Sequence, residues 1–218
     1  MSVSVILKGV EKSFEVPVER NVYARFLLKP KKLSKNVLSN LSFDFFPGER
    51  VLLLGPNGRG KTTLLKIIAG FSQCSGGEVY VDGVPIRDYP SQHIGFMLGT
   101  QLLYSALTGY ENLEYSAHLS GLTDIESSIE SAINRWELRE FIDFPTSMYS
   151  NGMKVRLALA RATLALPTLI CLDEPTAHLD EKGIDALRRY LRFAEATVFI
   201  ASQGADSLGG LVDRVVPL

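Results

Sequence analysis

Residues 55–63 have the composition and order of a loop that binds phosphate groups. They follow the apolar run 51–54, typical of a strand buried on both faces, and precede the apolar start of a predicted helix at 64–68. Glycines allow a tight turn whose N–H groups converge, with the positive end of the helix, on one anion. In the pattern G-x-x-x-x-G-K-[ST], Lys61 can reach the outer phosphates and the Thr62 hydroxyl can face Mg²⁺. The pattern therefore predicts a site for a nucleoside triphosphate and its metal. The candidate binding residues are Gly55, Pro56, Asn57, Gly58, Arg59, Gly60, Lys61, Thr62 and Thr63.

Two adjacent acids end another apolar run, at residues 168–172. An acid at the tip of a buried strand is what a metal site beside a phosphate loop requires, so Asp173 is predicted to hold Mg²⁺ directly or through water. Glu174 is then free to act as general base on the attacking water. The alternative is a strand end followed by a solvated turn, and the phosphate loop upstream counts against it.

Residues 149–153, with the sequence Tyr-Ser-Asn-Gly-Met, precede a helical pattern and form a second candidate anion site. Ser150 is placed to cap the helix, and Gly152 leaves several amides accessible at the positive helix end. Alone, this is an ordinary helix start. Its significance comes from its position between the phosphate loop and the pair of acids.

The elements that must position these residues alternate between strand and helix, which predicts an α/β fold with a mostly parallel sheet. Strands are predicted at 3–8, 41–46, 51–55, 76–83, 94–98, 169–172 and 196–202, and a helix at 180–193. Helical spacing of apolar residues over 109–165 predicts a helical insertion.

Residues 16–36 carry many basic side chains and few acids, which predicts a solvated, mobile loop. The alternative interpretation is a contact with a partner or with anionic lipid headgroups. The basic residues are Arg20, Arg25, Lys29, Lys31, Lys32 and Lys35.

Composition is typical of a soluble globular protein, with 218 residues, 46% hydrophobic and 22% charged residues. The net charge of −1 does not favour nucleic acid as a partner. No apolar stretch reaches the roughly 18 residues that a membrane span needs. Cys74 and Cys171 have no metal-ligand spacing and fit a reducing compartment.

The combined motifs resemble the nucleotide-binding domain of an ATP-binding cassette (ABC) transporter over nearly the whole chain. Residues 55–63 match the Walker A loop, 169–174 match Walker B with its catalytic glutamate, and 177–180 match the D-loop. Residues 149–153 match the signature motif in the form of ABC-2-type and polysaccharide-exporter ATPases. The resemblance implies a single ABC ATPase domain over 1–218. Its phosphate-loop core would cover about 1–98 and 166–218, with an antiparallel β portion near the N-terminus and a helical subdomain at about 105–165.

The resemblance also implies an activity and partners. The chain would be the ATP-hydrolysing subunit of a membrane transporter, an exporter, on the cytoplasmic face of the membrane. The membrane-spanning subunit would be a separate chain that contacts residues 99–110, and no nucleic acid is implied. A head-to-tail homodimer or heterodimer would sandwich two ATP molecules with Mg²⁺.

Each ATP would lie between residues 55–63 of one copy and Ser150, Asn151 and Gly152 of the other. The resemblance also matches Phe14 to the aromatic that stacks on adenine. An aromatic at the edge of a strand core is the alternative interpretation of Phe14.

Two positions depart from the family pattern. Gly99 stands where the family usually has a glutamine that contacts Mg²⁺, and Gln101 follows two residues later as a possible substitute. Gln203 stands where the family has a histidine that contacts the γ-phosphate. A glutamine can donate a hydrogen bond there but carries no positive charge. With Lys61, Glu174 and Gln203 as the catalytic residues, we expect slow but real ATP hydrolysis.

Two other function classes compete with the transporter interpretation. An ATP-binding regulator or scaffold with weak hydrolysis would explain Gly99 and Gln203, but the intact Glu174 counts against it. An ABC protein of translation or DNA repair would usually have tandem cassettes or a basic surface, and this chain has neither. No Asn-Lys-x-Asp motif for guanine is present.

Overall fold

The computed structural model describes residues 2–17, 32–204 and 208–218. Their strands are β1 (Val5–Pro17), β2 (Lys32–Phe45), β3 (Arg50–Leu54), β4 (Gly76–Val81), β5 (Val84–Pro85), β6 (Ile94–Leu98), β7 (Leu169–Asp173), β8 (Thr197–Ser202) and β9 (Arg214–Pro217). Their helices are α1 (Lys61–Ile68), α2 (Gly109–Leu119), α3 (Ile125–Trp136), α4 (Asn151–Thr163) and α5 (Glu181–Phe193). The α/β fold predicted from the sequence is therefore confirmed.

A five-stranded sheet in the order β6-β7-β8-β3-β9 is parallel throughout, as the crossover helices require. Strands β3, β6, β7 and β8 begin within one residue of the predicted positions, because their apolar residues are buried on both faces. Strand β9 was not predicted, and two of its four residues are exposed. The register pairs Leu98 with Asp173, Asp173 with Ala201, and Leu54 with Ser202. The loops that follow β6, β7, β8 and β3 therefore meet along one edge of the sheet, where open α/β sheets bind ligands.

A second, antiparallel sheet has the order β2-β1-β4-β5. The predicted turn between β4 and β5 is confirmed, with left-handed φ angles of 48° at Asp82 and 76° at Gly83. Gly9, with φ 58°, lies where the register of β1 shifts against both neighbours.

Strands β1 and β2 are longer than predicted, and they correct the expected loop at 16–36. Residues 16–17 continue β1 and residues 32–36 belong to β2, so both ends of the expected loop are strand. The hydrogen-bonded ladder extends here through exposed residues 33–36, where no buried face imposes an alternating pattern. Arg20, Arg25, Lys29 and Lys31 lie outside the described residues, and so do the predictions made for them.

Helices α2, α3 and α4 form the predicted helical segment. Thr108 and Glu111 cap α2 reciprocally: the Thr108 Oγ1 accepts from the Glu111 N–H, and the Glu111 carboxylate accepts from the Thr108 N–H. Trp136, fully buried at the end of α3, donates from Nε1 to Thr163 Oγ1 of α4 at 3.0 Å. This bond satisfies a buried indole and ties the two helices together.

Two hydrophobic clusters lie on opposite faces of the parallel sheet. One joins the sheet to α2–α5, and the other joins it to α1 and the antiparallel sheet. Cys171 is buried in the second cluster, where burial raises the pKa of its thiol. Every helix within residues 2–17, 32–204 and 208–218 is too short or too polar to cross a bilayer.

Candidate functional site

The loop at 55–63 takes a shape that requires glycine at two positions. Gly58 and Gly60 have φ angles of 81° and 94°, in the left-handed region that glycine adopts without steric cost. A Cβ at Gly60 would lie 2.7 Å from Leu38 Cδ2 and 3.0 Å from Val37 Cγ1. Strand β2 therefore presses on the loop, and Gly60 is needed both for the turn and for this contact.

Lys61 opens α1 and is only 5% exposed. Its Nζ donates to the carbonyl oxygens of Gly55 at 2.6 Å and Pro56 at 3.2 Å. Its ion-pair partner Glu174 has Oε1 at 3.9 Å, which is beyond hydrogen-bond distance. The ammonium is thus buried beside neutral carbonyls with a loosely matched counter-charge, and phosphate oxygens would be stronger acceptors for it.

Thr62 connects the loop to β7. Its Oγ1 donates to Asp173 Oδ2 at 2.8 Å. The pKa of Asp173 is raised, chiefly because burial disfavours the charged form, while the Thr62 hydrogen bond and the charges of Lys61 and Lys66 act to lower it. A cation beside this carboxylate would offset the cost of its burial.

The oxygen atoms at this point fit a hard divalent cation. Mg²⁺ prefers such ligands, and the Thr62 hydroxyl and the Asp173 carboxylate provide them. Asp173 Oδ1 and Glu174 Oε1 are both buried and have no hydrogen-bond partner in the described part of the chain. The same part contains no group of three or more His, Cys, Asp or Glu that could hold a metal alone. A bound Mg²⁺ would therefore take further ligands from phosphate and water.

Glu174 has a backbone conformation that is uncommon for its type, with φ 48°. Its N–H donates to the Ala201 carbonyl at 2.9 Å, and its Oε2 lies 3.5 Å from Ser202 Oγ. Strand β8 thus holds this residue at the tip of β7. A carboxylate fixed beside Asp173 and Lys61 is placed to accept a proton from a water next to phosphate.

These groups line one cavity of about 290 Å³, with Val37 as part of its wall. Its lining residues are Val37, Asn57, Gly58, Gly60, Lys61, Thr62, Thr63, Asp173 and Glu174. A larger groove of about 580 Å³ between α3 and α5 contains none of the sequence-predicted site residues. The smaller cavity is the candidate phosphate site, because Lys61 and the unpartnered carboxylate oxygens of Asp173 and Glu174 line it.

Residues 149–153, the second candidate anion site, form the helix start that the sequence predicts and lie outside the cavity. Ser150 caps α4 by accepting a hydrogen bond from the Met153 N–H at 3.2 Å. Ser150 and Asn151 are exposed, and a Cβ on Gly152 would lie 2.8 Å from the His178 carbonyl oxygen. None of residues 149–153 lines the cavity. Within one chain, the two predicted anion sites are therefore separate.

Six other predicted residues also lie outside the cavity lining, namely Gly55, Pro56, Arg59, Phe14, Gln101 and Gln203. Gln101 and Gln203 are exposed, and no hydrogen bond of either side chain is found within the described residues. Arg59 is exposed in the same way and makes no ion pair with a described residue. Phe14 is 44% exposed on β1, with Lys12 Nζ 5.1 Å from its ring centroid.

Sequence reasoning missed Val37, Asn112 and Thr146. Val37 touches the loop only through sheet packing, and no local pattern signals that contact. Asn112 and Thr146 are buried polar residues, each 1% exposed. The capping box at Thr108 and Glu111 was a readable signal for the helix that carries Asn112.

Comparison with known proteins gives matches along most of the chain. Residues 38–177 match the ABC transporter family. The ABC transporter ATP-binding protein NatA of Bacillus subtilis (strain 168) is 33% identical over 195 residues, which cover 85% of this chain and 79% of NatA. The sulfate/thiosulfate import ATP-binding protein CysA of Pectobacterium atrosepticum is 34% identical over 192 residues, 82% of this chain and 58% of CysA.

A solved structure has the same fold over nearly all of both chains. The dimeric post-hydrolysis state of the ATP-binding cassette MJ0796, bound to ADP and Pi, superposes with a TM-score of 0.82. The sequence identity is 25%, and the match covers 98% of this chain and 94% of MJ0796.

Proposed function

This chain belongs to the ABC transporter family, and from that premise we propose that it hydrolyses ATP as a head-to-tail dimer to power a membrane transporter. The observation that carries the proposal is the separation of the two anion sites. Lys61, Thr62, Asp173 and Glu174 share one cavity, whereas Ser150 and Asn151 are exposed elsewhere on the surface. A second copy in antiparallel orientation would bring its Ser150 to the γ-phosphate held by the first.

Each residue of the cavity has a role in this proposal. The loop amides and Lys61 bind the phosphates, and Thr62 and Asp173 would hold Mg²⁺, which supplies charge neutralisation when bound. Glu174 orients the attacking water and accepts its proton. Gln203 and Gln101 would approach the γ-phosphate and the metal after nucleotide binding. Phe14 would stack on the adenine ring.

The proposed domain division follows the same lines. The core at about 1–98 and 166–218 contains both sheets and the phosphate loop, and the helical subdomain at about 105–165 carries Ser150. Each subdomain therefore contributes one of the two anion sites.

We assign the contact with the membrane-spanning subunit to a groove of about 270 Å³ beside residues 99–110. Phe71, Leu102 and Leu119 line it with exposures of 64%, 39% and 72%. Apolar side chains exposed in one groove are typical of a protein contact. An apolar cytoplasmic segment of the transporter would fit there and would hold this chain at the cytoplasmic face of the membrane.

The proposed direction of transport is export, and its support is the form of the signature motif at 149–153. The relative CysA is named as an import protein, and this similarity argues for import. Transport assays in vesicles of known orientation, with the membrane subunit co-expressed, decide between the two directions.

The ATP-driven dimer is tested with the Glu174→Gln variant, which keeps the shape of the side chain but cannot accept a proton. We expect it to remain dimeric in MgATP and monomeric in MgADP, as measured by light scattering after gel filtration. Glu140→Gln, a change at an exposed glutamate of the helical segment, is the matched control and should not accumulate a dimer. A Glu174→Gln protein that stays monomeric in MgATP overturns the proposal.

A second candidate is an ATP-binding regulator or scaffold with weak hydrolysis. The side chains of Gln101 and Gln203 favour it, because both are exposed and neither has a hydrogen-bond partner among the described residues. Membrane fractionation separates the two functions. A transporter subunit co-purifies with a hydrophobic partner that stimulates its ATPase, whereas a regulator does neither.

A further inference from the structure

Residues 104–110 are the part of the proposed partner-contact segment, 99–110, that leads into helix α2. Hydrogen bonds join them to the segment before the signature motif. Tyr110 N–H donates to the Ile142 carbonyl at 2.9 Å, and Gly109 N–H donates to the Phe144 carbonyl at 3.3 Å. In the opposite direction, the Thr146 N–H donates to the Leu107 carbonyl at 2.9 Å, and the Ser147 N–H donates to the Ser105 carbonyl at 3.0 Å. The two segments thus form an antiparallel ribbon.

Two buried side chains close this ribbon. Asn112 accepts at Oδ1 from the Tyr104 N–H at 2.8 Å, and its Nδ2 donates to the carbonyls of Tyr104 at 3.1 Å and Thr108 at 2.8 Å. Thr146 donates from Oγ1 to the same Tyr104 carbonyl at 2.9 Å. Both side chains are 1% exposed, so their polar groups have no access to water if these bonds are lost.

The ribbon reaches the signature motif through Tyr149. The Tyr149 hydroxyl donates to the Phe141 carbonyl at 2.6 Å. A Cβ on Gly109 would lie 2.2 Å from that hydroxyl, so Gly109 admits the tyrosine only because it has no side chain. Ser150 is the next residue. Between Tyr104 and Ser150 there is therefore a continuous chain of hydrogen bonds and close packing.

On the side toward the core strand β6, the backbone hydrogen bonds among the described residues are long. The Gln101 N–H donates to the Leu98 carbonyl at 3.4 Å, and the Leu103 N–H donates to the Thr100 carbonyl at 3.3 Å. Gly99 has φ 51°, and no atom lies within 4 Å of the place where its Cβ would be. The segment is thus joined more firmly to the signature end of the helical subdomain than to the strand from which it emerges.

We propose that Asn112 and Thr146 are positioning residues that couple the segment at 104–108 to Ser150. The coupling rests on the proposed function, in which Ser150 binds the γ-phosphate across the dimer. By linkage, ATP at Ser150 stabilises the ribbon as far as Tyr104, and a ligand held at Tyr104 stabilises Ser150 by the same factor. Both side chains are buried, and neither lines the phosphate cavity or the partner-contact groove, so in this proposal they act only through the ribbon.

Hydrogen exchange at the Tyr104 amide tests this coupling, because that N–H is bonded to Asn112. The exchange rate is measured in the Glu174→Gln protein with MgATP and with MgADP, and the dimer is checked in the same samples. We expect MgATP to slow exchange at Tyr104 by at least about fivefold, the lower end of typical coupling between sites.

The Thr146→Val change removes the hydroxyl and keeps the side-chain volume. Added to Glu174→Gln, it should leave an ATP-dependent dimer but abolish the slowing at Tyr104, and Thr146→Ser should restore the slowing. Thr163→Val is the matched control, because it removes another fully buried hydroxyl of the helical subdomain, bonded to Trp136 rather than to the ribbon. It should keep the slowing.

The outcomes separate the two proposals. A dimer in MgATP without slowing at Tyr104 in the Glu174→Gln protein, or undiminished slowing after Thr146→Val, overturns the coupling and leaves the proposed function standing. Absence of the dimer in Glu174→Gln overturns both. The comparison of MgATP with MgADP in the Glu174→Gln protein needs no change at the ribbon. The proposal can therefore be tested even if Thr146→Val does not fold.

Discussion

Lys61 lies buried among the carbonyls of its own loop, whereas Ser150 lies exposed at the start of a helix and, among the described residues, bonds within its own turn. Around Lys61 the chain supplies a cavity, a hydroxyl–carboxylate pair and two orphaned carboxylate oxygens. Around Ser150 it supplies helix-end amides and little else. The difference supports the proposal that one chain binds the nucleotide and that a neighbouring copy completes its surroundings.

The largest expected effect falls on the buried side. Lys61→Ala removes the ammonium that lines the cavity, so ATP hydrolysis should fall by about 10²–10³-fold, as for loss of a charge-stabilising donor. Binding of a fluorescent ATP analogue to the single chain should weaken as well. Lys182→Ala, at an exposed lysine of α5, is the control and should change neither measurement.

An intermediate effect is expected on the exposed side. In Gly152→Ala the new methyl would lie 2.8 Å from the His178 carbonyl, so the helix start must shift, at a cost of about 1–3 kcal/mol. In the Glu174→Gln background this should weaken ATP-driven dimerisation by about tenfold or more. Nucleotide affinity of the single chain should stay the same. A loss of that affinity would contradict the division of the site into two halves.

The smallest effect concerns the donor at the end of β8. Gln203→His should raise steady-state ATPase turnover by about tenfold, because an imidazolium recovers charge that the amide lacks. The gain in turnover should be larger at pH 6 than at pH 8, because free imidazole has a pKa of about 6.5 and is charged below that pH. Gln101→His, the same change at the other glutamine, serves as the comparison for turnover. Unchanged turnover after Gln203→His would argue against a deficit at this position.

The sequence predicts the parallel sheet well because its strands are apolar on both faces. Strands β3, β6 and β7 begin within one residue of the predicted positions. The predicted cap at Ser150 is also confirmed, since its side chain has one local partner three residues away. Patterns of this kind depend on residues close together in the chain, so they can be recognised in a single sequence.

The parts that were missed depend on contacts between distant segments. The extension of β2 through exposed residues 33–36 comes from pairing with β1 and has no hydrophobic signal. Val37 meets Gly60 only after two sheets pack together. Asn112 reads as an ordinary helical residue until residues 104 and 146 are brought beside it. The periodicity of a sequence does not predict contacts between segments that are far apart in the chain.

The contact of β2 with the phosphate loop also has a practical consequence. Val37 presses on Gly60, and four residues earlier on the same strand Leu33 is 57% exposed. A fluorescent dye attached at position 33 would therefore lie in solvent on strand β2, which contacts the proposed phosphate loop at Gly60. Such a labelled protein would serve as an optical sensor of ATP arrival, with its chemistry left intact.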